Sequence, residues 1–231
     1  MGKIAVYTCV IGEYDSDAAP PLKTESQCEI DGECFDIYYV CFADIITPSP
    51  PWKLIRILPE HYSQRKASRI YKLMPQKFFR GFDYSIWIDA NIIIKAAVPE
   101  LISWLGSRDL SLANHSQRRR AIDEAKVCAG LWPNQPFIEQ CDYYMSQGFP
   151  DNKVIPTNTS IIRRHTPQMA EMGEAWWKEM LRFGSRDQIS LPYVLWKLGI
   201  EYSKAPIPGR AFYGSREFSY YRHSKNRKDV Q

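Results

Sequence analysis

The chain has 231 residues, 45% of them hydrophobic and 24% charged, with a formal net charge of +4. This ordinary globular composition suits one sizeable α/β domain or two small ones, large enough to bury a core without staples. No run approaches the roughly 18 apolar residues of a membrane span.

The charge is uneven. Residues 1 to 60 carry 10 acidic and 4 basic side chains, a balance of −6, which leaves +10 to the rest. A basic C-terminal part can attract phosphates. The basic residues are not interleaved in an RNA-binding pattern, so nucleic acid is not expected as a partner. None of the six cysteines forms a CxxC pair, so metal-type spacing is absent. A reducing cytoplasm is the simplest setting. The N-terminus does not read as a signal peptide. A soluble chain of this kind can still work peripherally at a membrane surface.

In chain order, Lys3 to Val10 reads as a first strand, closed by Gly12 and the residues after it. Residues 16 to 33 are polar, with two prolines, and read as a surface excursion. Phe35 to Phe42 is a second strand and Trp52 to Leu58 a short third. A helix is expected over Ser63 to Phe79, ended or kinked by Pro75. Tyr84 to Ile88 is the central strand. A helix bracketed by Pro99 and Gly106 follows, then a strand from Leu110 to Ala113. Residues 118 to 129 and 136 to 146 are helical by pattern. Asn158 to Arg163 is a strand, Pro167 to Phe183 a strong helix and Asp187 to Leu198 another. The division expected is one domain over 1–214 and a loose, basic C-terminal tail over 215–231.

Strands separated by helices predict a mostly parallel central sheet flanked by helices. Ligands bind such sheets beyond the carboxyl ends of the strands. That rule selects Thr8 to Gly12, Asp44, Asp89 to Asn91, and His115. If the backbone stays extended, Asp89 and Asn91 point to one side. Two oxygen ligands there suit Mg²⁺ or Mn²⁺ carrying a diphosphate. An Asx turn at a strand end explains the same residues equally well.

The segments YTCVIGEYD (7 to 15), YYVCFAD (38 to 44), SRIYKLMPQKFF (68 to 79), DYSIWIDANIII (83 to 94), NTSIIRRH (158 to 165) and WWKEMLRFGSRDQISLPYVLWKLG (176 to 199) run in order over most of the chain. With them the chain resembles the glycosyltransferase-like family catalogued as domain of unknown function 616, found in bacteria and in plant wall-polysaccharide proteins. The resemblance implies a single Rossmann-like nucleotide-sugar transferase fold of the GT-A type. It implies a nucleotide diphosphate sugar donor, UDP-type favoured, and a glycan or glycolipid acceptor. A catalytically inactive nucleotide-sugar or glycan binding module of the same fold is the alternative, motivated by Asn91 standing where a second acid is usual.

On that footing Asp89, Asn91 and a late His223 are the candidate metal ligands. Thr8, Gly12 and Asp44 would line the base and ribose pocket. Arg69 and Lys72 share a helix face and would meet the diphosphate. Asn158 and Thr159 suit sugar hydroxyls. His115 would position the sugar. Asp187 is the natural N-cap of its helix and also a candidate general base. Of the adjacent Trp176 and Trp177, one is expected in the core and the other is free to pack or to stack on a sugar.

Overall fold

The computed structural model describes residues 1–12, 15–58, 62–207, 212 and 214–221. In chain order the elements are β1 (Gly2–Val10), β2 (Gln27–Ile30), β3 (Glu33–Ala43), β4 (Lys53–Arg56), α1 (Gln64–Leu73), β5 (Tyr84–Ile88), β6 (Ile92–Ile94), α2 (Val98–Ser103), β7 (Leu110–Asn114), α3 (Ala121–Leu131), α4 (Phe137–Ser146), β8 (Pro156–Arg164), α5 (Pro167–Arg182), α6 (Asp187–Lys197), β9 (Ser203–Lys204) and β10 (Phe218–Tyr220). Among the described residues no helix is long and apolar enough to cross a membrane.

The main sheet runs β2-β3-β1-β5-β8-β7-β9, with β4 also joined to β3. The β1–β3, β1–β5, β3–β4 and β7–β9 pairs are parallel. The β2–β3, β5–β8 and β7–β8 pairs are antiparallel. The architecture is therefore α/β with a mostly parallel, Rossmann-like sheet. β1, β3, β5 and β7 all finish at one edge of it, and β8 starts there.

Alternation along the central strands builds two cores. Ile4, Val6, Ile86 and Ile88 face one side, under α2, β6 and β10. Ala5, Tyr7 and Trp87 face the other, under α1, α3, α4, α5 and α6. The second side carries the cavity described below.

Several elements differ from the sequence expectation. The polar stretch 16–33 contains β2, which pairs with residues 33–36 of β3. The expected helix over 63–79 stops at Leu73. Met74 is its C-cap, and Pro75 opens a single 3₁₀ turn, because proline cannot continue the backbone ladder. Ile92–Ile94 forms a second small sheet with β10. The tail expected to be loose from Ser215 is thus tied down through Tyr221. Phe218, fully buried among Phe212, Trp104 and the β6 isoleucines, supplies the reason.

Candidate functional site

At the strand-end edge lies a cavity of about 350 Å³ between α1, α3, α6 and the start of β8. Seven of the residues singled out from the sequence line it: Arg69, Lys72, Asp89, His115, Asn158, Thr159 and Asp187. They arrive from five different parts of the chain.

Lys72 is the hinge of the arrangement. It is 2% exposed, and its Nζ lies 2.9 Å from Asp187 Oδ2 and 3.3 Å from Asp89 Oδ1. Its ammonium also lies over the Trp87 ring, 5.4 Å from the centroid. The Trp87 indole donates to Asp89 Oδ1 at 3.0 Å. Arg69, one turn earlier on α1, places Nε 3.5 Å from Asp187 Oδ1, a charge contact without hydrogen-bond geometry. Asp89 keeps a side-chain exposure of 37%, whereas Asp187 is closed off.

Asp187 does not cap α6. Arg186 occupies the N-cap, and Asp187 sits in the first turn with its side chain turned into the cavity. The indole of Trp176 fixes that turn, donating to the Asp187 carbonyl at 3.1 Å and to Ser190 Oγ at 3.0 Å. Burial alone would raise the carboxyl's pKa. The Lys72 charge, with Arg69 and Arg186, outweighs burial and holds it far below the usual carboxylate range. A carboxylate held so firmly ionised is a weak proton acceptor, which argues against the general-base role. Asp187 holds cations instead. Both tryptophans are buried, and Trp177 packs edge-on to Tyr62, so neither is presented for sugar stacking.

A backbone irregularity aims the next pair. In the β7–β8 ladder Leu112 pairs with Ile161 but Ala113 pairs with Thr157, which leaves residues 158–160 without β7 partners. Such bulges re-aim side chains beside sites. Asn158 Nδ2 donates to Asp187 Oδ2 at 3.3 Å, while its Oδ1 is buried without a partner. Thr159 lines the same wall, and its carbonyl accepts from the Asp89 amide at 2.9 Å.

His115 follows β7. Its Nδ1 accepts from the Gln117 and Arg118 amides at 3.1 and 2.9 Å. An Nδ1 that accepts twice leaves the proton on Nε2, so the ring is a neutral donor. Burial pushes its pKa down, in the same direction. Beyond it, the carboxylate of Glu124 takes both Arg186, at 2.8 Å, and Arg118, at 3.3 Å. Arg118, Arg186 and Trp87 carried no assigned role in the sequence reading. Trp87 was findable, since it lies two residues before Asp89 on one strand face. Arg118 stands in a His115–Arg118–Glu124 spacing and Arg186 directly precedes Asp187, but their shared grip on Glu124 comes from loop geometry.

The remaining candidates lie outside the cavity. Asp89 and Asn91 do not continue as an extended pair, because the chain turns there and the Ile92 amide donates to the Asp89 carbonyl at 3.0 Å. Asn91 instead donates its amide to the Tyr221 carbonyl at 3.3 Å. Thr8 is fully buried on the α2 side of β1, with an unpartnered hydroxyl, and does not line this cavity. Gly12 and Asp44 form a separate clasp. The Gly12 amide donates to both Asp44 carboxylate oxygens, at 2.9 and 3.0 Å. Gly12 has φ +67°, and a Cβ there would meet the Gln64 amide group at 2.5 Å, so glycine is required. His223 lies outside the described residues. Among the described residues no cluster of three His, Cys, Asp or Glu side chains is placed to hold a metal.

Residues 2–208 match the family described as TOD1/MUCI70, glycosyltransferase-like domain. A curated relative, "Probable hexosyltransferase MUCI70" of Arabidopsis thaliana, is 27% identical over 157 residues. That match covers 62% of the chain but only 27% of the plant protein's length.

Proposed function

Because the chain belongs to the TOD1/MUCI70 glycosyltransferase-like family, we propose that its strand-end cavity binds a nucleotide diphosphate sugar and transfers the hexosyl group to a glycan or glycolipid acceptor, as a fold of the GT-A type does. The observation that carries this reading is Lys72, buried, between Asp89 and Asp187, with Arg69 beside it at the cavity wall. Two cations fixed by one carboxylate at the end of β5 and another in the first turn of α6 suit a diphosphate. Their positions are set before the substrate arrives, so charge building up on the leaving diphosphate meets an electrostatic environment that needs no reorganisation.

A divalent ion fits this site through one residue. Asp89 has a half-exposed carboxylate whose Oδ2 takes no partner among the described residues, and a single carboxylate plus phosphate oxygens is a usual shell for Mg²⁺. Asp89 would hold Mg²⁺ or Mn²⁺, which would add neutralising charge at the phosphates. Asn91 is not part of this cavity's lining, and its Nδ2 donates to the Tyr221 carbonyl.

Around the sugar, the orphan carbonyl oxygen of Asn158 and the Nε2–H of His115 supply one acceptor and one donor for hydroxyls. Of the described carboxylates lining the cavity, Asp187 and Glu124 are both buried and ion-paired, and Asp89 is the residue assigned to the divalent ion, which leaves none of them as general base for the acceptor hydroxyl. Inversion needs such a base on the face opposite the leaving group. With those carboxylates engaged, transfer with retention of anomeric configuration is favoured, the departing phosphate taking the proton.

The test is release of nucleoside diphosphate from a panel of UDP-sugars with Mn²⁺, with the product anomer read by NMR. Turnover with retention is expected. Arg69→Gln is expected to lower kcat/KM by about tenfold to a hundredfold, the loss of one charge-assisted contact in the transition state. Binding without turnover identifies an inactive module. An inverted product contradicts the stereochemical reading.

A further inference from the structure

We propose that Arg163, which lies on β8 outside the cavity, is a positioning residue that sets Lys72 in place by gripping the C-terminal end of α1. Its Nη1 donates to the Lys72 carbonyl at 2.9 Å and lies 3.4 Å from the Leu73 carbonyl. These are the last carbonyls of the helix, which have no partner within it and carry the negative end of its dipole.

An arginine is an expensive strut at this point. Arg163 is 1% exposed, it forms no ion pair with a carboxylate among the described residues, and its Nε and Nη2 have no hydrogen-bond partner. Core packing alone would be served better by methionine or leucine, without a buried charge. What the guanidinium adds is a fixed, charged donor under the carbonyl of the one lysine that bridges Asp89 and Asp187.

Two other groups close the same clamp. Tyr7 on β1 donates its hydroxyl to the Lys72 carbonyl at 3.4 Å. On the far side α5 comes so close that a Cβ at Gly173 would stand 2.5 Å from the Leu73 carbonyl oxygen. The end of α1 is therefore held from β1, β8 and α5 at once. The Nζ position of Lys72 is an output of that grip.

The functional consequence rests on the diphosphate reading of the cavity; the positional one does not. The experiment combines crystal structures with calorimetric titration of UDP for the wild type, Arg163→Gln, Arg163→Lys, Lys72→Met and the Arg163→Gln/Lys72→Met pair. In Arg163→Gln, Lys72 Nζ is expected to move beyond about 4 Å from Asp187 Oδ2, the limit of an ion pair. UDP affinity is expected to fall roughly tenfold. Arg163→Lys restores both, because its ammonium still reaches the Lys72 carbonyl. The double variant binds UDP no more weakly than Lys72→Met alone, since Arg163 acts through Lys72.

A folded Arg163→Gln with Lys72 undisplaced overturns the proposal. So do losses that add in the double variant. Should Arg163→Gln prove unfolded, Tyr7→Phe, which removes the weaker contact to the same carbonyl, is expected to shift Lys72 in the same direction by less; no shift there overturns it too. UDP affinity indifferent to Lys72→Met sinks the diphosphate reading, while the Lys72 displacement still decides the role of Arg163.

Discussion

Lys72 and Asp187 are each almost inaccessible to water, and each depends on the other to be there. Neutralising one leaves the partner's charge buried with too few contacts, which costs about 3 to 5 kcal/mol. Asp187→Asn is therefore expected to lower the unfolding free energy by roughly 3 kcal/mol or more, measured by urea denaturation. A loss under about 1 kcal/mol would mean that the pair is open to solvent. At this scale the sequence was informative about residue types and poor on partners. Asp89 is singled out by its strand end, Arg69 and Lys72 by a shared helix face together with the family resemblance, and Asp187 by its place at a helix start; the fold brings the four to one cavity. The Asp89–Asn91 pairing failed because periodicity assumes an extended chain, and a turn between them sends Asn91 to Tyr221. Asp187 was read as a cap because acids favour helix starts, but the cavity cations competed more strongly for its carboxylate.

Elements were legible where they are long and bounded. Tyr84–Ile88 is fully buried between Asp83 and Asp89, and α5 is announced by Thr166, which caps the Met169 amide, and by Pro167. β6 and β10, three residues each, carry no period long enough to read. Their pairing depends on Phe218, so Phe218→Ala is expected to cost about 3 to 5 kcal/mol, seen as a fall in Tm. A neutral outcome would return residues 215–221 to the status of a loose tail. His165, directly after β8, carries a pH dependence. Burial first, and the Arg163 charge second, push His165 down to about 4 from 6.5. Between these values the unfolded chain binds a proton that the folded chain refuses, so stability falls as the pH drops from 6.5 towards 4 and is untouched by His165 above 6.5. His165→Gln is expected to flatten that slope in urea midpoints taken from pH 7 to 4. An unchanged slope would contradict the assignment.

Across the whole molecule, the parallel strands deliver their chemistry to one edge, and this much the alternation of strands and helices foretold. Two groups of candidates nevertheless separate there. The cavity lies on the α1, α3 and α6 side, whereas Thr8 faces α2, and Gly12 with Asp44 forms a clasp between the ends of β1 and β3. Side-chain parity along β1 decides this, and it could not be read before it was known which face carried the helices. The family match and the charge arrangement lead to one central claim, that Arg69 and Lys72 receive the diphosphate of a sugar nucleotide. A crystal structure with bound UDP tests it most directly. Phosphate oxygens within about 3.2 Å of the Arg69 guanidinium and of Lys72 Nζ are the expected result. UDP seated elsewhere, with the Lys72–Asp187 bridge undisturbed and the cavity filled by solvent, would contradict it.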